Sequence, residues 1–335
     1  MVCGGARADA SGWRRPCPRR KCHSGHCAIL SMATKTRSRR GRKASEGPSP
    51  AEAIVADLIS LLEAGTTPWR KPWEASGGGH HVNLLSGHRY SGANPILLTL
   101  GMHLRGSALP FWCGFAEAKK LGIFPKKGSK AVRILRPQLH SREEEGEGGE
   151  ISLKSWASFR PVAIFNSSDL QGEALEGLIA SRKAIEEPQV RPEPERHAAA
   201  EATLSAWCVP ISRAGDRAFY MPELDRIQLP ERHAFTSSTG HYATWAHEVI
   251  HSTGHNSRLK RNLSGAMGSH SYAREELVAE LGAVLLGDRL EIGAALEGHA
   301  AYMGHWIEML KAEQRVLFQV LSEARQAADL ICPNS

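Results

Sequence analysis

No apolar run in this 335-residue chain approaches the eighteen or so residues needed to cross a bilayer as a helix. A helical membrane anchor is therefore excluded, and a soluble, cytoplasmic protein is expected. The seven cysteines are odd in number and follow no regular framework, which argues against a disulfide scaffold and for a reducing compartment. Cys17, Cys22, His23, His26 and Cys27 lie close together but lack the C-x-x-C spacing of a zinc knuckle. The opening segment has no apolar stretch of the kind a secretory leader carries, and Met32 offers an alternative start. Broad basicity is missing as well. Residues 1–49 hold about +10 of a total of +7, so the remainder is net acidic by about three charges. Nucleic-acid affinity outside that tail must come from local patches.

Against these absences stands His247-Glu248-Val249-Ile250-His251. Histidines four apart fall on one face of a helix, where two imidazoles can grip one zinc ion. Glu248, between them, is the candidate general base. The preceding Tyr242 to Ala246 reads as helix interior, with Gly254 as the stop. A catalytic zinc site needs a third protein ligand. A metzincin would carry it at Ser257, a poor ligand. His255 is nearer, but Gly254 separates it from the helix, which leaves it as an alternative. The segment Tyr272 to Leu286 has helical apolar spacing and places Glu276 and Glu280 one turn apart on a common face. Two acids so placed on a second helix resemble the arrangement of glutamate-type zincins. On that basis Glu276 is assigned to the metal and Glu280 to a supporting contact with a ligand imidazole.

The N-terminal half opens with an expected helix over 51–63, with Ile54, Leu58, Leu61 and Leu62 on its apolar face. Then follows Pro68-Trp69-Arg70-Lys71-Pro72-Trp73, two indoles around two cations. Stacking platforms beside phosphate-binding charges suit single-stranded DNA. Arg89, Tyr90 and Asn94 extend the candidate DNA-contacting set, and the lysines of 126–130 read as a turn entering a strand at 131–135. Residues 143–149 form an acidic, glycine-rich loop between strands, and 156–165 resumes as a strand ending at Asn166. Prolines 188, 192 and 194 suit an extended linker. Beyond it the sequence suggests a helix over 196–207, short strands within 217–222 and 225–230, and several helices. Either 218–220 or 226–229 could be an edge strand that holds a peptide. The stretch 299–327 reads as helical, with Trp306, Leu310, Val316 and Leu317 in the core.

The run HEVIHSTGHNSRLKR, followed by YAREELVAELGAVLL and by HAAYMGHWI at 299–307, resembles the C-terminal metallopeptidase-like domain of ArdC-type antirestriction proteins. Upstream, GTTPWRKPW, Asn83, GHRYSGAN and Phe165-Asn166 resemble the single-stranded-DNA-binding domain of that family, which is also similar to the N-terminal region of TraC-type plasmid primases. The resemblance covers residues 50–332 and implies a two-domain α+β protein. Its parts are a basic, disordered tail (1–49), a mixed α/β DNA-binding domain (50–172), a linker (173–195) and a mostly helical zincin-like domain with a small sheet (196–332). It further implies one Zn2+ per chain, protection of incoming plasmid DNA from restriction, and a restriction-system component as a protein substrate. The alternatives are a non-catalytic protein that occludes DNA, with a vestigial metal site, and a primase accessory. No polymerase motif stands out.

Overall fold

The computed structural model describes residues 49–69, 80–145, 151–186, 191–266, 268–293 and 300–333. From residue 47 onward the chain forms one compact unit. It begins at a capping box: Ser49 accepts from the Glu52 N–H while the Glu52 carboxylate accepts from the Ser49 N–H, and helix α1 runs Pro50–Glu63. Strand β1 (Val82–Asn83), helix α2 (Asn94–His103), strand β2 (Phe111–Gly114), helix α3 (Phe115–Lys120) and strand β3 (Phe124–Pro125) follow. Two long strands, β4 (Val132–Glu145) and β5 (Ile151–Asn166), pair antiparallel along their whole length. The sheet order is β1-β2-β5-β4, so β4 is an edge. Val132, Ile134, Val162 and Ile164 pack on Leu98, Met102 and Trp112, which fixes α2 against the inner end of the ribbon. A short strand β6 (Leu170–Gln171) pairs with β3.

The sequence suggested a linker over 173–195, yet helix α4 occupies Leu175–Glu186. Leu175, Leu178 and Ile179 recur at helical spacing and pack on Val82, Leu84 and Phe111. Arg182 on the same helix donates to the carbonyls of Leu84 and Leu85 at 3.2 and 3.0 Å. The prolines that suggested an extended segment lie beyond this helix.

The C-terminal half holds helix α5 (Glu193–Ser205), strands β7 (Ile211–Arg213), β8 (Phe219–Met221) and β9 (Arg226–Leu229), and helices α6 (Ser238–Thr253), α7 (His270–Leu290), α8 (Ala300–Ala312) and α9 (Val316–Ile331). The sheet order β7-β9-β8 leaves β8 at an edge and puts β9 in the middle, so 226–229 cannot take an added strand. Trp306, Leu310, Val316 and Leu317 are buried as expected, the first two on α8 and the last two on α9. One core spans both halves: Val55, Leu58 and Leu62 of α1 and Ile96, Leu97 and Leu100 of α2 join the apolar faces of α6, α7 and α9. The fold is mixed α/β in two domains that share this core. No helix among the described residues is long and apolar enough to cross a membrane.

Candidate metal centre

Helix α6 starts where Ser237 accepts from the Gly240 N–H, and it buries Tyr242, Trp245, Ala246, Val249 and Ile250. That apolar face fixes the rotation of the helix, so His247 and His251 turn together toward α7. The two helices approach closely at Gly282, where a Cβ would lie 2.7 Å from Ile250 Cγ2. This contact brings Glu276 over the histidines. One ligand atom from each of His247, His251 and Glu276 lies within 4.8 Å of the others. Glu276 Oε2 is 3.6 Å from His247 Nε2, Glu276 Oε1 is 3.6 Å from His251 Nε2, and the two Nε2 atoms are 3.1 Å apart. Two imidazole nitrogens and one carboxylate converging in this way fit the donor set of a divalent ion with one position left for a non-protein ligand. His255 is outside the group, with Nδ1 2.8 Å from Ser257 Oγ.

The electrostatics suit a cation. Burial alone would lower the His247 imidazole pKa, but Glu276, Glu248 and Glu280 outweigh it and raise it to about 9. Burial would raise the Glu276 carboxyl, yet the hydrogen bond from His247 and the charges of both histidines bring it down to about 2. Negative charge that retains a proton this strongly is the same field that would hold a metal ion. Glu248 is buried and burial pushes its carboxyl up, against the pull of His247 and His251. It also accepts a backbone hydrogen bond from Tyr220 on the edge strand β8. Asp225 anchors that strand beside α6: it accepts from Tyr220 Oη at 2.7 Å and from Arg258, whose Nε donates to the Ser252 carbonyl at 2.7 Å.

The supporting contact on the histidines falls to a different residue from the one expected. Glu275 Oε1, not Glu280, lies 3.1 Å from His251 Nδ1. Consecutive positions on a helix point about 100° apart, so Glu276 faces both rings while Glu275 reaches the far side of His251. Arg261 donates to both Glu275 oxygens, at 2.9 and 2.8 Å, and caps α6 through the Ile250 carbonyl at 2.8 Å and Thr253 Oγ1 at 2.8 Å. Gly254 follows α6 as expected, but its φ of −74° is ordinary, and its smallness serves Arg261: a Cβ there would lie 3.0 Å from Nη2. Tyr272 also bonds Glu276 and lies 3.3 Å from the Tyr302 hydroxyl. The doubled Glu275-Glu276 and the arginine after the helix were the signals that sequence reasoning left unread.

Glu280 instead accepts from the Trp69 indole N–H at 2.7 Å. Trp69 is 1% exposed and sits edge-on to Trp306 with ring centroids 5.5 Å apart. A ring enclosed in this way offers no face to a base, so the stacking role expected of Trp69 does not hold in this arrangement. Arg70, Lys71 and Trp73 lie outside the described residues. The Asn94 side chain is engaged at both ends with the Leu135 backbone, donating at 3.1 Å and accepting at 2.8 Å, and thereby joins α2 to β4. The Arg89 side chain is partly exposed, 3.8 Å from Glu186. Tyr90 lines an open groove of about 1400 Å3 together with the half-exposed rings of Phe115 and Phe159 and with α9.

A buried H-E-x-x-H helix, a carboxylate donor from the next helix and a sheet edge beside the base define a zincin-like domain, and residues 189–323 match the family described as zincin-like metallopeptidase. Residues 49–165 match the N-terminal domain of anti-restriction factor ArdC. Two solved structures of the antirestriction protein ArdC from plasmid R388 are similar over both halves at 30% identity. The metal-free form has a TM-score of 0.60 over 84% of this chain and 96% of that one; the Mn(II)-bound form has 0.59 over 85% and 97%. The chain belongs to the ArdC-type antirestriction family. Two DNA primases TraC of Escherichia coli are each 34% identical, over 302 and 292 residues, but this chain spans only 20% and 27% of their lengths. A protein of Sinorhizobium fredii, y4eC, is 29% identical over 83% of this chain and 90% of its own length.

Proposed function

We propose that this protein protects incoming DNA from restriction inside a recipient cell, and that it does so by binding single-stranded DNA through its N-terminal half and hydrolysing a peptide bond at the centre formed by His247, Glu248, His251 and Glu276. The observation that carries the reading is the convergence of three donors beside a buried carboxylate, Glu248, that is not one of them. A purely structural metal site has no use for such a base. A divalent ion, zinc by preference for this donor set, would supply Lewis acidity at the scissile carbonyl and a nucleophile at neutral pH. The protein's own parts do the rest. Burial keeps Glu248 basic enough to take a proton from the attacking water, and it can return that proton to the leaving amine. The outer edge of β8, where the Tyr220 N–H donates to Glu248, can hold an extended peptide, such as a segment of a restriction-system subunit, across the site.

The test is transfer of DNA into a restriction-proficient recipient with wild type and Glu248→Gln. The amide keeps size and hydrogen bonding but not basicity, so metal content should stay near one equivalent while hydrolysis falls by roughly a hundredfold or more. Protection should fall with it. Full protection by the variant would instead support occlusion of DNA without cleavage. The similarity to the primases supports a further reading of the same N-terminal half, as an accessory module that presents single strands.

A further inference from the structure

Residues 115–130 hold five lysines and one acid, within a folded part whose net charge is negative. The backbone here is closely specified. Helix α3 ends in a reversal at Gly122, φ +69°, where the Gly122 N–H reaches the Lys119 carbonyl at 3.2 Å and the Ile123 N–H reaches the Ala118 carbonyl at 3.0 Å. The chain returns as β3 against β6, and the Lys126 N–H continues that pairing to the Asp169 carbonyl at 2.8 Å. Successive residues of an extended segment point to opposite faces. Ile123 therefore joins the core with Ala118 and Leu170, while Phe124 turns outward on the side of Lys126 and is 42% exposed. Lys119 and Lys120 precede this ring on the last turn of α3, and Lys126 and Lys127 follow it just past β3. All four lysines are exposed.

Among the described residues no carboxylate pairs with Lys119, Lys120, Lys126 or Lys127. Lys126 Nζ donates to the Ser168 carbonyl at 2.9 Å, a contact that leaves its charge in place. The nearby acids are engaged elsewhere: Glu117 accepts from Asn83 Nδ2 at 3.2 Å, and Asp169 is held by Arg105. Glu173, beyond β6, is exposed and pairs with none of the four. Lys130, whose charge acts on Asp57, is left out of the set. Cations gathered in this way repel one another, and an outward phenyl ring leaves apolar surface in water. A polyanion that also presents planar faces offsets both. Single-stranded nucleic acid is such a partner, because its bases are unpaired, whereas a duplex keeps them stacked inside and offers chiefly phosphate. We propose that Lys119, Lys120, Lys126 and Lys127 hold phosphates of single-stranded DNA while a base stacks on Phe124, an assignment that rests on the DNA-binding reading above. Phe115, on the same face of α3 as Lys119, leads from this patch into the open groove that Tyr90 and Phe159 line.

The experiment is a salt titration of labelled oligothymidylate binding by the full chain, comparing wild type with Lys119→Gln/Lys120→Gln, Lys126→Gln/Lys127→Gln and Phe124→Leu. Each phosphate contact to a single strand contributes about 0.7 to the slope of log affinity against log salt, so each lysine pair should reduce that slope by about 1.4. The basic tail contributes equally to every variant and cannot mask the difference. Phe124→Leu keeps apolar bulk but removes the aromatic face, so affinity should fall by about fivefold or more at an unchanged slope. Thermal midpoints of the variants should match wild type, which separates lost contacts from lost folding. If wild type binds and both lysine variants keep its slope, the patch is wrong while DNA binding stands. If wild type does not bind oligothymidylate, the DNA-binding reading fails and the patch with it. An equal loss of single-strand and duplex affinity in Phe124→Leu would overturn stacking on the ring. Binding to phosphatidylglycerol vesicles that both lysine variants lose, with oligothymidylate affinity unchanged, would make the patch a membrane-surface contact and overturn the assignment.

Discussion

Between His251 and Arg261 the Glu275 carboxylate is engaged on both oxygens, so it sets the orientation of the ring and, through Arg261, the end of the helix that carries it. Burial would raise this carboxyl, but Arg261 and His251 outweigh burial and hold it ionised. Replacing Glu275 with Gln should weaken metal binding by roughly ten- to a hundredfold in chelator competition, with secondary structure intact; an unchanged affinity would remove Glu275 from the support of the site. A second residue-scale prediction concerns His241. It is buried, burial and the neighbouring Arg213 and Arg232 bring its pKa down to about 4, and neither ring nitrogen has a partner among the described residues. In the unfolded chain the ring titrates near 6.5. The unfolded state therefore binds more protons between these values, and stability should be lost as pH falls from about 6.5 to about 4, by at most about 1.4 kcal/mol per pH unit. Urea midpoints measured across that range should fall less steeply for His241→Phe than for wild type.

Helices α6 and α7 form the metal centre only because they can touch at Gly282. A methyl group there meets Ile250, so Gly282→Ala should destabilise the protein by about 1–3 kcal/mol and lower metal affinity as well, since the ligands are divided between the two helices. Denaturant unfolding and metal titration of one variant test both effects; a loss of stability at full affinity would mean that α7 shifts without carrying Glu276 away. The same pair of helices was the most legible part of the sequence. His247 and His251 are related by helical period, as are Glu276 and Glu280, and period is a property of sequence. What the period does not encode is which acid meets which ring, because that depends on the crossing of α6 over α7, and the support passed from Glu280 to Glu275 for that reason. The β4–β5 ribbon was legible only at its inner end, since farther out apolar residues such as Leu139 and Leu153 are exposed and no simple alternation of buried and solvated residues remains. Helix α4 was missed because prolines just past its end suggested an extended chain for the whole segment.

At the level of the molecule, the hydrogen bond from Trp69 to Glu280 joins positions 211 residues apart inside a core that both halves build. Trp69→Phe keeps most of the ring but removes the donor, leaving a buried carboxylate one partner short. It should cost about 1–3 kcal/mol of stability with little effect on DNA affinity, measured by denaturant unfolding and by oligothymidylate binding. A large fall in affinity at unchanged stability would restore Trp69 to the DNA-contacting surface.

The shared core also bears on how such a protein can evolve. Two sequence modules with a recognisable boundary suggest pieces that recombination can trade freely between genes. Here the apolar faces of α7 and α9 are covered by α1, α2 and Trp69, which lie on the far side of that boundary. A crossover within 166–188 would unite a zincin-like half with a foreign cover whose side chains were never matched to it. Viable exchanges should therefore be those that carry α1, α2 and the indole along with the helices they close, so that inheritance of the metal centre is tied to inheritance of the DNA-binding half.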